Sequence, residues 1–356
     1  RNNQFRNRTW SATSTATMYG FWQFTSSALG TTHTFNFTNN LVYGNVLQNT
    51  NIFYGIYGGS SNGTCNLNNN TIRDNRLAPN SGTAYMIYPA SSATLNVNNN
   101  NLTNNRRIVA STATSVGTTY LAYIIGSSST NAGSFNNNVF DTLQITGVPG
   151  TLTSLTYGMY VSNTSAAGTT FNNNVIRNIT VQGTSTGNQT IYASNFLLSG
   201  TGNIVKGNRI ARIGTTTNTN NTGTISTDAQ LGGAMNSFVV GAQLGGSTTA
   251  GTNKFFDGNT FNTLVAGGSN GISRGLWVST GTDWYIYNNA VSRISAPFAS
   301  PATAPTASSS TTVTTGLAVY GIDIANATAG NNYFVYNNSV LLSGIGGGAN
   351  FATSGI

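Results

Sequence analysis

Apolar residues along this chain recur neither at the 3.6-residue spacing of a helix nor as long simple alternation; they return inside one short phrase. The segment Phe171-Asn172-Asn173-Asn174-Val175-Ile176 is echoed by Phe135-Asn136-Asn137-Asn138-Val139-Phe140. With the first Phe as position 0, further copies start at Phe37, Leu67, Val97, Val205, Phe256, Ile286 and Val335, and a tenth starts in effect just before Arg1. From Phe37 onward the starts lie 30, 30, 38, 36, 34, 51, 30 and 49 residues apart. Such self-similarity is the mark of a stacked repeat, in which each unit buries its apolar face only against its neighbours.

Each column of the alignment has a physical reading. Position 0 is Phe, Leu, Val or Ile, and position 5 is apolar in all ten copies: Phe5, Val42, Ile72, Leu102, Phe140, Ile176, Ile210, Phe261, Val291 and Val340. Both columns are expected inside, on either side of a bend. Position 2 is Asn in eight copies and Gly in two (Gly207, Gly258), the residues that accept a left-handed backbone, so the strand is expected to turn there. Position 3 is Asn in every copy: Asn3, Asn40, Asn70, Asn100, Asn138, Asn174, Asn208, Asn259, Asn289 and Asn338. Stacking explains that uniformity, because each side-chain amide can then satisfy the copy next to it. A shorter second ladder is expected through Asn45, Asn75 and Asn105 at position 8, giving way to Leu143, Ile179, Ile213, Leu264 and Ile294.

A second strand signal lies between these phrases, as Tyr54-Gly55-Ile56-Tyr57, Tyr85-Met86-Ile87-Tyr88, Tyr157-Gly158-Met159-Tyr160 and Tyr320-Gly321-Ile322-Asp323. One repeat therefore reads as a bent strand, a polar loop and another strand. Insertions without apolar periodicity are expected to protrude as loops at 215–228 and 295–315. Leucine-rich and helical solenoids lack their spacings here, and a propeller needs four strands per repeat. The expected fold is all-β: a right-handed parallel β-helix of about ten rungs with a buried Asn ladder, roughly 45–50 Å long at about 4.8 Å per rung. The repeat is cut at the N-terminus, Ser354-Gly355-Ile356 looks like the opening of another strand, and no cap is visible at either end. Residues 1–356 are thus expected to be one continuous β-helix segment of a longer polypeptide.

Composition agrees. Charged residues are 6% of the chain, against about a quarter in ordinary soluble domains, and all six acids are Asp. A chain without Glu and nearly without Lys favours strands over helices. Aromatic residues at 10%, in register, argue against disorder. The single cysteine, Cys65, shares its phase with Phe35 and Leu95 and is expected to pack as a small hydrophobe. No apolar run reaches the roughly 18 residues of a membrane-spanning helix.

Candidate chemistry is sparse. Asp74, Asp141, Asp228, Asp257, Asp283 and Asp323 include no obvious facing pair of the kind glycoside hydrolysis needs. His33 is the only histidine and has no acid within forty residues in sequence. Phosphate-loop, zinc-binding and dinucleotide patterns are missing, so neither a cofactor nor a metal is expected. Thr runs such as Thr311–Thr315 fall in loops of unequal length, which disfavours an ice-binding face. The arginines are more organised: Arg6, Arg8, Arg73, Arg76, Arg106, Arg107, Arg177, Arg209, Arg212 and Arg293 all fall between positions 4 and 10. Stacking is expected to line them along one side of the rod. Arg73, Arg76, Arg106, Arg107 and Arg177 are the candidate ligand-binding residues, toward an anionic glycan rather than a specific nucleic acid. The plainer reading is that like charges keep a stack of strands soluble.

The alternation of Tyr-Gly-Ile-Tyr (Tyr54–Tyr57) with Tyr-Asn-Asn-Ser-Val (Tyr336–Val340) resembles the large Asn/Thr/Gly-rich β-helix proteins secreted by Bacteroidota. That resemblance covers nearly the whole chain and implies an adhesin or fibre component, exported by type IX secretion and held at the surface by anchoring machinery. Asp141-Thr142-Leu143 is similar to the O-glycosylation motif of that phylum, with Thr142 as acceptor. The expected function is therefore a structural or adhesive extracellular rod, which further copies or segments of the same protein could extend. A carbohydrate-active β-helix, either lyase, hydrolase or tailspike-like glycan binder, is the alternative.

Overall fold

In the computed structural model of the chain, the described residues are 2–10, 17–23, 33–48, 52–58, 61–78, 82–89, 92–110, 113–125, 131–163, 168–216, 236–245, 253–268, 270–297, 319–325, 331–342 and 353–354. Among them there are strands and no helix, and the strand pairings are parallel. Each rung sends strands to up to three faces. The first face holds Thr34–Thr38, Ser61–Asn68 and Ser92–Asn98, then five strands from Thr170–Asn172 to Tyr333–Tyr336. Ser134 joins the two groups by bridging Asn96 and Thr170. The second face runs through ten rungs, from Gln4–Arg6 to Ser339–Leu342, and the third runs through ten, from Thr17–Gln23 to Thr353–Ser354. The chain is a parallel β-helix.

The turn between the first two faces falls where the Asn/Gly column lies. All ten position-2 residues, from Asn2 to Asn337 and including Gly207 and Gly258, have φ between 53° and 64°. A second left-handed column stands at position 7, which no single residue type marks. Asn7, Gly44, Asp74, Asn104, Thr142, Asn178, Arg212, Thr263 and Arg293 have φ of 51° to 65°. Thr and Arg disfavour that region, so stacking holds these corners against local preference.

The ladder between the two corners leaves few polar groups idle. Each Asn from Asn3 to Asn289 donates its side-chain Nδ2 to the Oδ1 of the next rung at 2.8–3.3 Å. Its backbone N–H reaches the same oxygen at 2.9–3.2 Å. From Asn70 onward, the amide's other proton goes to the position-0 carbonyl of the rung before, at 2.7–3.0 Å. One carboxamide thus uses two donors and both acceptor lone pairs, which is why only Asn serves. The second ladder is also present: Asn45 donates to Asn75 at 2.8 Å and Asn75 to Asn105 at 2.9 Å. Beyond it Leu143, Ile179, Ile213, Leu264 and Ile294 fill the column at 0% exposure. Position-5 side chains from Val42 to Val291 are 0–2% exposed, each burial being worth roughly 1.5–3 kcal/mol. Cys65 lies in register with Phe35 and Leu95 and is buried, which pushes its thiol up to about 12. Most of the two expected insertions lies outside the described residues; the second-face strands run on to Thr216 and Ser295, so the chain is still in the sheet where the loops were expected to start.

Candidate functional site

The arginines fall on the second face, where alternation decides which point outward. Position 6 places Arg6, Tyr43 and Arg73 side by side on the first three rungs. Position 9 brings Arg76 into register with Arg106 on the next rung, both exposed. The corner at position 7 lies between these columns. Arg73 meets the Asp74 carboxylate at 3.1 Å, and its guanidinium lies 5.1 Å from the centre of the Tyr43 ring. Tyr43 accepts a hydrogen bond from Asn7 at 3.3 Å. That bond, a second from Arg6, and the nearby charges of Arg6 and Arg73 hold its phenol below the usual range.

Two of the candidate ligand-binding arginines do not fit a free stripe. Arg107 is 0% exposed and points inward, in register with buried Leu77. It donates to the Gly82 carbonyl at 2.7 Å, Thr119 Oγ1 at 2.9 Å and the Thr118 carbonyl at 3.2 Å. Burial lowers its guanidinium to about 10, so it stays charged at neutral pH as an internal strut. The sequence held the signal, since Leu47 and Leu77 occupy the same column on the two rungs before. Arg177 is outward but occupied: its Nη2 and Nε meet Asp141 Oδ2 at 2.7 and 2.8 Å. Burial raises the Asp141 carboxyl, but hydrogen bonds from Arg177, Asn178 and Thr142 outweigh it and leave the group below its ordinary value. Arg212 in turn donates to Asn178 at 2.6 Å.

Thr142 stands in the left-handed column at φ 54°, half-buried, and its hydroxyl donates to Asp141 at 3.0 Å. A sugar attached there would have to displace that bond. The remaining described acids are also engaged: Asp257 pairs with Lys206 at 2.8 Å, Asp283 accepts from Asn332, and Asp323 pairs with Arg274. Among the described residues no three His, Cys, Asp or Glu side chains come together as metal ligands. Among the described residues no helix is long and apolar enough to cross a membrane.

Comparison with protein-family models, curated proteins and solved structures returned no match.

The geometry includes a feature larger than the spacing of the Tyr-Gly-Ile-Tyr segments shows. On the outside of the third face, Tyr19, Tyr54, Tyr85, Tyr120, Tyr157 and Tyr192 stack on six successive rungs. Their ring centres lie 4.9–5.2 Å apart and their planes within 1–11° of parallel. Trp22, Tyr57, Tyr88, Tyr123 and Tyr160 form a second column beside them, each within 4.5–5.3 Å of its partner in the first. From the Tyr54–Tyr57 pair onward both rings face outward because the two residues between them, such as Gly55 and Ile56, are both buried. Burial raises the phenols from Tyr54 to Tyr192, those two to about 12. On later rungs the first column continues as Val240, Arg274 and Tyr320. Arg274 is 0% exposed, with Trp277, Tyr320 and Phe238 rings at 4.6, 4.7 and 5.3 Å and Asp323 at 3.1 Å. Burial raises Asp323 by more than the Arg274 charge lowers it.

Proposed function

We propose that this chain works as a stiff structural or adhesive rod outside the cell, displayed at a surface rather than acting as a catalyst. One observation carries the reading: the side chains repeated most strictly are spent on their own neighbours along the axis. Ten asparagines hydrogen-bond in series and six tyrosines stack in series. A rung in such a series gains from every rung added, and the product is length and resistance to local opening. The resemblance to Bacteroidota β-helix proteins supplies the setting to test, with export by type IX secretion and anchoring at the surface. A carbohydrate-active rod is the rival.

Antibodies against the rungs, applied to intact cells of the source organism before and after protease shaving, test the proposal. Surface label on unpermeabilised cells, carried by protein that survives limited proteolysis, is the expected result. Label seen only after permeabilisation, or depolymerisation of a polysaccharide by the purified protein, would overturn it.

A further inference from the structure

We propose that the corner of the first four rungs, where Arg6, Arg73, Arg76 and Arg106 gather, binds an extended polysaccharide bearing carboxylate or sulfate groups. Among the described residues, the ion pairs of these four arginines comprise Arg73–Asp74 alone, and Asp74 also accepts from Asn104. Four cations therefore share one carboxylate over four rungs. Further along the same face Arg177 is closed on Asp141 and Arg212 on Asn178.

The in-register pair is the most telling detail. Like charges on adjacent strands repel, so Arg76 beside Arg106 costs stability that a polar residue would spare. The same column holds Val46 on the rung before and Gln144 on the rung after, so neither strand nor corner demands arginine. Tyr43 stands in register between Arg6 and Arg73, where hydrogen bonds from Asn7 and Arg6, with the charges of both arginines, hold its phenol below the ordinary value. Guanidinium groups suit carboxylate and sulfate oxygens because two N–H groups can engage one anion. Their spread over three rung spacings, roughly 14 Å, fits a chain laid along the axis rather than a single small ion.

A single-stranded nucleic acid is the less fitting occupant. Its binding sites join cationic grooves to open ring faces on which bases stack. Here Arg73 covers the Tyr43 ring, and the tyrosines of the third face cover one another.

The test measures binding to heparin (sulfated) and polygalacturonate (carboxylated) over a salt series. The chain is compared with Arg76→Ser/Arg106→Ser and with Arg177→Ser. The double variant is expected to bind both polymers at least tenfold more weakly and with a shallower salt dependence, while Arg177→Ser binds as the parent does. Arg76→Lys/Arg106→Lys keeps the charge and should fall between; it serves in place of the serine variant should that one fail to fold. Unchanged binding by the double variant, equal loss in Arg177→Ser, or displacement of both polymers by single-stranded DNA at equal charge would each overturn the proposal.

Discussion

Two ladders run along this molecule, one sealed inside a corner and one on an outer face, and they tolerate change differently. The asparagine ladder keeps one residue type through ten rungs. The tyrosine ladder keeps its type for six, then passes to Val240, Arg274 and Tyr320. Chemistry explains the contrast. Each carboxamide is donor to one neighbour and acceptor from the other, so a replacement orphans buried groups on both sides. A ring in a stack shares only dispersion and quadrupole contacts, and losing one leaves no polar group unpaired. Uniformity in this chain marks hydrogen-bond reciprocity, and departures from a column mark places where something else is built.

Alkali should separate the ladders most strongly, because only one of them titrates. Phenols with an ordinary value of 10.0 are raised by burial, Tyr54 and Tyr192 to about 12. The unfolded chain therefore releases protons that the folded chain retains, and stability present below pH 10 is lost as pH rises toward 12. Tyrosinate absorbance and circular dichroism should change together in that range. Ionisation of all phenols near pH 10 with the fold intact would break the comparison.

Asn174→Ala comes next. It removes the acceptor of the Asn138 side-chain and backbone N–H groups and the donor to the Phe135 carbonyl. The expected loss is about 3–5 kcal/mol, read from the urea midpoint. Asp323→Asn should cost less, about 2–3 kcal/mol, since it removes the negative charge that pairs with the buried Arg274 guanidinium. Tyr120→Leu removes two parallel stacks on the outer ladder and should cost only about 1–2 kcal/mol. A Tyr120→Leu loss as large as that of Asn174→Ala would erase the distinction between the ladders.

Much of this architecture is legible in the sequence because a parallel stack brings like positions together. The Asn column, the left-handed Asn/Gly corner, the buried position-5 column and the handover from Asn105 to Leu143 can all be read from aligned repeats. The second corner is not, because Asn, Gly, Asp, Thr and Arg all occupy it and stacking rather than preference sets its backbone. Arg107 misleads as long as Arg106 and Arg107 are counted as one cluster; alternation sends adjacent strand residues to opposite sides, and Leu47 and Leu77 mark the inward one. The tyrosine face is half visible: the paired rings show, but rungs of unequal length hide that they fall in one line. The enclosure of Arg274 depends on Phe238, Trp277 and Tyr320 from three rungs, and no local pattern announces it.

Exchange of the asparagine side-chain amide protons, followed by nuclear magnetic resonance, tests the central claim most directly. If the ladder holds the rungs together, both Nδ2 protons of Asn70, Asn100, Asn138, Asn174, Asn208, Asn259 and Asn289 exchange as slowly as the strand amides around them, whereas Asn36 and Asn66 on the exposed side of the first face exchange fast. Fast exchange at the ladder positions in the folded protein would contradict the account.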